Sequence, residues 1–251
     1  MFIAAATNAS VEAVQKKFGL AEALEQGGAV AYTIFGVMVI MSIVSWYIMF
    51  TKLFEQQKIL KQSAEGVQKF WAAPSLKDGA SRFEKNTAFR QLVDDGFKAE
   101  EEHGKLIDAQ DQHEWMHSSF QRSQDAINAK LGTGLAFLAT VGSTAPFVGL
   151  LGTVIGIYRA LITIGASGDA SIDKVAGPVG EALIMTAIGL VVAVPAVMGF
   201  NWLQRRNKLI AERMSTFCND LHGYMMSNGA VRPAVKAAAP ARPAAAAPAK
   251  A

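Results

Sequence analysis

Three long apolar stretches, residues 27–50, 131–165 and 178–203, constrain this chain more than any other feature of its sequence. A helix needs roughly 20 mostly apolar residues to cross a hydrocarbon core, and each stretch is long enough. Inside lipid the backbone finds no water to bond, so each span has to satisfy its own N–H and C=O groups as a helix. With 51% apolar and 18% charged residues, the 251-residue chain suits a membrane protein with a soluble portion. The expected class is all-α: a polytopic membrane protein with three transmembrane helices and long cytoplasmic helical extensions.

Basic residues give the orientation. Lys52, Lys58 and Lys61 follow the first span, Arg122 and Lys130 precede the second, and Arg205, Arg206, Lys208 and Arg213 follow the third. The opposite ends carry only Lys16, Lys17 and Lys174. By the positive-inside rule the N-terminus is periplasmic and the C-terminus cytoplasmic. A net charge of +3, with its basic residues gathered at membrane ends, excludes a nucleic-acid partner and leaves membrane lipids as the expected surroundings. The single cysteine, Cys218, falls on the reduced side and reads as a small apolar residue.

The organisation follows from these spans. Residues 1–26 read as a periplasmic amphipathic helix, with Ser10 as N-cap and Val11, Val14, Phe18 and Ala21 at helical spacing, broken at Gly27-Gly28 before transmembrane helix 27–50. Residues 51–130 form a cytoplasmic helical domain in which twelve basic and thirteen acidic residues nearly cancel, with a turn expected at Pro74 and Asp78-Gly79. Transmembrane helix 131–165, read as one helix, would measure about 50 Å, well beyond a core of about 30 Å. A periplasmic loop at 166–177 leads to transmembrane helix 178–203, for which Pro178 suits the first helical position. A cytoplasmic helix at 204–229 follows, and the Ala- and Pro-rich tail, 230–251, is expected to be disordered.

The second and third spans interleave small and polar residues with apolar ones. Gly149, Gly152 and Gly156 recur at three- and four-residue spacing with Thr153 beside them, and Ala182, Thr186, Gly189 and Ala193 share one face of the third span. Small residues let helix backbones approach closely in lipid, so Gly149, Gly152, Gly156 and Gly189 are the expected helix-packing set. Glu181 opens the outer end of the third span, where an ionisable group is costly enough to imply a function or a specific partner. Arg159 either pairs with it or snorkels outward, and snorkelling is the favoured reading. Pro146 and Pro195 each remove a helix hydrogen bond and can bend the helix around them.

His113-Glu114-Trp115-Met116-His117 matches the zinc motif H-E-x-x-H, which places two imidazoles on one helix face. No third ligand follows at a familiar spacing, so the expectation is no metal site, no cofactor and no enzyme activity.

The run from Ala139 to Tyr158, the run from Val175 to Val197, and Ser45-Trp46 followed by Thr51-Lys52 together resemble the ExbB/TolQ/MotA family of proton-channel proteins. The resemblance covers all three spans and is strongest in the second and third. It implies a homo-oligomeric ring, pentameric in the family, in the bacterial inner membrane. The ring's second and third helices line a pore that holds an ExbD-type single-span partner. An aspartate of that partner carries the proton, and the family's ring threonines and glutamate fall here at Thr153, Thr186 and Glu181. Such a motor energises a TonB-type protein for uptake across the outer membrane. The alternative is the TolQ-type role in the Tol-Pal envelope-constriction system, and a secondary transporter is a poorer fit because no inverted repeat is evident. Arg159 departs from the neutral polar residue the family suggests there.

Orientation is open to direct test. Cysteines introduced at Ser10 and Ser171 should react with an impermeant maleimide on intact spheroplasts, and one at Ser63 only after lysis. Labelling of the Ser63 variant from outside would reverse the topology.

Overall fold

The computed structural model describes residues 20–105, 111–167 and 172–233, and every element among them is helical. The helices are α1 (Leu20–Lys61), α2 (Val67–Trp71), α3 (Leu76–Ser81), α4 (Ala88–His103), α5 (Gln112–Gly132), α6 (Leu135–Ser167) and α7 (Ile172–Met226), with a π turn at Gln62–Gly66 joining α1 to α2. Three helical stretches, Gly28–Trp71, Gln112–Ala166 and Ala182–Met226, are long and apolar enough to cross a membrane. The chain is a membrane protein. It divides into two compact units, one of Met1–Gln56 with Ala129–Lys208, the other of Gln57–Asn128 with Leu209–Ala251, so that α1 and α7 run through both.

The first unit packs α1, α6 and α7 around a core that includes Met38, Leu138, Val141, Ala145, Ala193 and Leu203. Its outer faces carry Ile40, Tyr47, Phe54, Phe147, Val191 and Met198, each more than half exposed. In water such a surface would drive aggregation, whereas hydrocarbon solvates it at no cost. Gly28, at φ 57°, turns the path of α1 where a residue with a Cβ would be strained.

The second stretch is not one helix from residue 131. Gly134, at φ +85°, separates α5 from α6, and its missing Cβ admits Ile48, whose Cγ2 stands 3.0 Å from where that Cβ would lie. The break frees two carbonyls at the end of α5 from their usual N–H partners four residues on. Lys52 Nζ donates to Lys130 O at 2.9 Å, and Asn207 Nδ2 donates to Leu131 O at 3.0 Å. Gln56, fully buried, donates from Nε2 to Asn207 Oδ1 at 2.6 Å and to Leu203 O at 3.0 Å. Lys52 and Gln56 of α1 and Asn207 of α7 thus fix the interrupted end of α5, the last two through a chain of amides.

The loop expected at 166–177 is shorter, because α6 continues to Ser167 and α7 begins at Ile172, leaving only 168–171 between them, outside the described residues. Pro178 consequently lies in the second turn of α7 instead of at its first position, and it removes one i→i−4 bond there. Most of the expected segment 1–26 and of the tail 230–251 also falls outside the described residues.

The second unit has an aromatic centre. Phe217 of α7 meets Phe70 at 5.3 Å, Phe89 at 5.4 Å and Phe83 at 6.0 Å between ring centroids, all edge to face. Pairs of this geometry add about 0.5–1.5 kcal/mol each beyond the area they bury. The turn expected at Asp78-Gly79 lies instead within α3, because Ser75 Oγ accepts from Asp78 N at 3.1 Å and donates to Asp78 Oδ2 at 2.7 Å, capping the helix. Gly79 is tight for a packing reason: a Cβ there would come within 2.9 Å of Phe70 O. Trp115 Nε1 donates to Ala99 O at 2.9 Å, and Ser123 Oγ to Asp95 Oδ2 at 2.5 Å, tying α5 to α4. Cys218 is buried and desolvation pushes its thiol up to about 12, so it stays unreactive toward maleimide near neutral pH.

Asn207→Leu removes the donor to Leu131 O while keeping an apolar volume of similar size. We expect it to cost about 1–3 kcal/mol, the penalty for stranding buried polar groups. Denaturant unfolding in detergent measures it, and an unchanged midpoint would show that the amide chain contributes nothing.

Candidate functional site

The small residues of α6 and α7 meet along one seam. A Cβ on Gly149 would stand 2.7 Å from Met185 O, 3.1 Å from Thr186 Cα and 3.2 Å from Gly189 Cα. Viewed from α7, a Cβ on Gly189 would stand 2.7 Å from Ala145 O and 3.2 Å from Gly149 Cα. Gly152 faces Met185 Cβ at 3.0 Å and Gly156 faces Ala182 Cβ at 2.9 Å. Gly149 and Gly189 meet backbone atoms, Gly152 and Gly156 the Cβ atoms of the facing helix, and the contacts occur at the spacing that puts Gly149, Gly152 and Gly156 on one side of α6.

That closeness brings two hydroxyls together. Thr153 of α6 is buried, 7% exposed, and its Oγ1 is hydrogen-bonded to Thr186 Oγ1 of α7. Thr153 Oγ1 also lies 3.0 Å from Ala182 O across the seam and 3.3 Å from Gly149 O in its own helix. A hydroxyl donates one proton and accepts at two lone pairs, so Thr153 can give its hydrogen to only one of these acceptors at a time. One arrangement runs from Thr186 through Thr153 to Ala182 O, and the reverse sense sends the hydrogen from Thr153 to Thr186. Both are neutral, and exchanging them moves no net charge in the span. Thr186 is half-buried, so it is the member of the pair with open surface beside it.

Glu181 lies in α7 one residue before Ala182, near the same end of the seam, and its side chain falls outside the described residues. Arg159, two turns along α6 from Thr153, is exposed, and its Nη1 comes within 3.6 Å of where a Cβ would stand on Gly28 of α1. Pro146 sits within α6 directly after buried Ala145, whose carbonyl crowds Gly189, so the proline stands beside one of the close contacts of the two helices. Thr140, Ser143 and Thr144 of α6 are exposed in spite of the apolar span around them, and each returns its hydrogen to a carbonyl of its own helix at 2.7–3.0 Å.

His113 and His117 of the H-E-x-x-H motif lie on α5 in the second unit. Among the described residues no three His, Cys, Asp or Glu side chains are grouped so as to hold a metal ion. Sequence reading missed two arrangements. The amide chain of Gln56 and Asn207 had one available signal, a polar pair just past the ends of the first and third spans. The third ring beside His113 and His117, that of His222, had none, since it comes from a different helix far along the chain.

Comparison with known proteins places this seam in context. Residues 84–216, which hold Gly149, Thr153, Glu181, Thr186 and Gly189, match the family described as the MotA/TolQ/ExbB proton channel family. The chain is 40% identical over 214 residues to the biopolymer transport protein ExbB of Xanthomonas campestris, a match covering 81% of this chain and 85% of that one. It is 35% identical over 209 residues to the protein of the same name from Neisseria meningitidis, covering 81% and 95%. It is 30% identical over 197 residues to the Tol-Pal system protein TolQ of Pseudomonas aeruginosa, covering 75% and 84%.

A direct test of the seam is Gly149→Val, whose branched side chain would drive into Met185 O and Thr186 Cα. Forcing that volume in should cost about 1–3 kcal/mol or separate the helices. Gly36→Ala is the control, because a Cβ on Gly36 meets nothing within 4 Å. Equal thermal stability of the two purified variants would mean that the close approach is not required.

Proposed function

The chain belongs to the MotA/TolQ/ExbB proton channel family, and from that premise we propose that it is the ExbB-type ring subunit of an inner-membrane, proton-driven motor. In this reading several copies, five by the family's pattern, surround the single span of an ExbD-type partner. The assembly energises a TonB-type protein for active uptake across the outer membrane. The N-terminus is periplasmic and the C-terminus cytoplasmic, as the distribution of basic residues indicates. The observation that carries the reading is the higher identity to ExbB-named relatives, 40% against 30% for the TolQ relative, over a larger share of the chain. The TolQ-type role is the second reading, on the strength of that same TolQ similarity.

The proposed chemistry follows from two hydroxyls and one carboxylate. A hydroxyl can donate to an ionised carboxylate and accept from a protonated carboxylic acid without changing its own charge. Thr186, half-buried and bonded to Thr153, is placed to offer that bond to an acid on a partner helix, while Thr153 re-aims its hydrogen between Thr186 and Ala182 O. The proton itself rides on the partner's acid, and the ring supplies a neutral, reversible contact for each of its two charge states. Glu181 sits five residues nearer the start of α7 than Thr186, about 7.5 Å along the axis, and would bias proton entry at the outer end. Catalysis of a covalent reaction is no part of this role.

Thr153→Val and Thr186→Val keep the side-chain shape and remove the hydroxyl, and Glu181→Ala removes the carboxylate. All three variants should co-purify with the ExbD-type partner yet lose at least about tenfold in gradient-driven uptake, the equivalent of one lost hydrogen bond to a charged group. Mass spectrometry of the co-purified proteins separates TonB-type from Tol-type partners. Assembled Thr153→Val and Thr186→Val complexes with full uptake would reduce both residues to packing elements.

A further inference from the structure

His222 of α7 is only 9% exposed, yet its Nε2 is buried without a hydrogen-bond partner. Around it α5 presents three rings: His113 stacked at 4.6 Å between centroids and 30° between planes, His117 at 6.3 Å, and Phe120 edge-on at 6.1 Å. α4 contributes no charge to this contact and instead brings Gly96 against Phe120 and the Met225 sulfur. Three imidazoles from two helices therefore share one pocket with an aromatic floor. A neutral ring tolerates that environment, because stacking uses its face and leaving Nε2 unpaired strands no charge. A cationic ring does not, since it would lose its water and meet the repulsion of His113 and His117.

We propose that His113, His117 and His222 form a proton-operated latch between α5 and α7 in the second unit, closed while all three rings are neutral and loosened when protons load the cluster. This device is separate from the seam of the first unit and does not depend on the proposed proton path. Burial first, then His113 and His117, holds the His222 imidazole below its ordinary value of 6.5, and among the described residues these two histidines are the charged groups that act on it. The released ring takes a proton near pH 6.5 while the packed ring resists it. Packing is consequently at full strength above pH 6.5 and weakens as the pH falls below it. Coulomb repulsion from His113 and His117 adds to the effect.

Hydrogen exchange followed by mass spectrometry on the full-length protein in nanodiscs, with EDTA present, tests the latch at pH 7.5, 6.5 and 5.5 after correction for intrinsic exchange. Peptides covering 112–120 and 217–226 should lose protection by about tenfold between pH 7.5 and 5.5, while peptides within 135–165 keep theirs. His222→Phe, which keeps a ring to stack, should abolish the loss. His113→Gln with His117→Gln, both at exposed positions, should cut it to about threefold or less by removing the repelling partners. Wild-type protection that survives to pH 5.5 overturns the proposal, as does an undiminished loss in His222→Phe. Should His222→Phe fail to fold, the double variant decides alone, and a full tenfold loss in it overturns the latch.

Discussion

Everything in the first unit depends on how closely α6 and α7 approach. In lipid no hydrophobic drive pairs two apolar helices, because the tails around them are as apolar as leucine. Association must come from van der Waals contact and from polar bonds, and both weaken steeply with distance. The contact of Gly149 with Gly189, at 3.2 Å from a notional Cβ to the facing Cα, brings the helices near enough for both. One consequence is packing. The other is that Thr153 can reach across to Ala182 O and Thr186 Oγ1, which a leucine-lined interface would hold too far away.

The spans were legible because lipid imposes a blunt requirement, a long run without charge, that composition alone reports. The seam was legible at the next level, since Gly149, Gly152, Gly156 and Gly189 follow helical spacing and small residues have a distinct physical use in membranes. Where sequence reading failed, the deciding interaction was local and specific, or it came from elsewhere in the chain. Gly134 breaks the second stretch although it looks like its neighbours in a glycine-rich apolar run, and what sustains the break is Lys52, Gln56 and Asn207 from other helices. The Asp78-Gly79 pair has the composition of a turn, but the Ser75-to-Asp78 spacing carries the opposite signal, a helix cap, which outweighed it. The pairing of His222 with His113 and His117 could not be read at all, because it depends on tertiary contact.

The two units place polarity differently. In the first, buried polar groups are neutral and pair with backbone carbonyls or with one another: Thr153 and Thr186 in the seam, Ser45 donating to Met41 O at 2.7 Å, Gln56 and Asn207 beside the end of α5. Each makes at least one hydrogen bond without taking a charge into a low-dielectric region, where the Born cost would run to several kcal/mol, although Gln56 Oε1 is buried with no partner among the described residues. In the second, charges are frequent but lie on the surface, as with Lys58 and Glu84, both more than half exposed. Such a pair contributes about 0–1 kcal/mol, so the stability of this unit rests on the rings around Phe217 and not on its balanced charges.

Threonine, as opposed to an ionisable group, at the centre of the seam has a physical rationale. A carboxylate at Thr153 would either be neutralised by burial or hold a fixed cation, and each state would bind too strongly to be reversed cheaply. A hydroxyl with several acceptors in reach loses little when its hydrogen moves from one to another, because every state remains bonded and none is charged. Its χ1 is stiff enough to keep the oxygen facing the seam, and in a helix threonine can still return its hydrogen to a carbonyl one turn back, here Gly149 O at 3.3 Å. That carbonyl is a third acceptor in reach, beside Ala182 O and Thr186 Oγ1. In the role proposed above, a contact made and released with each transferred proton requires this low cost of exchange, and the glycines supply the separation at which a side chain as short as threonine can provide it.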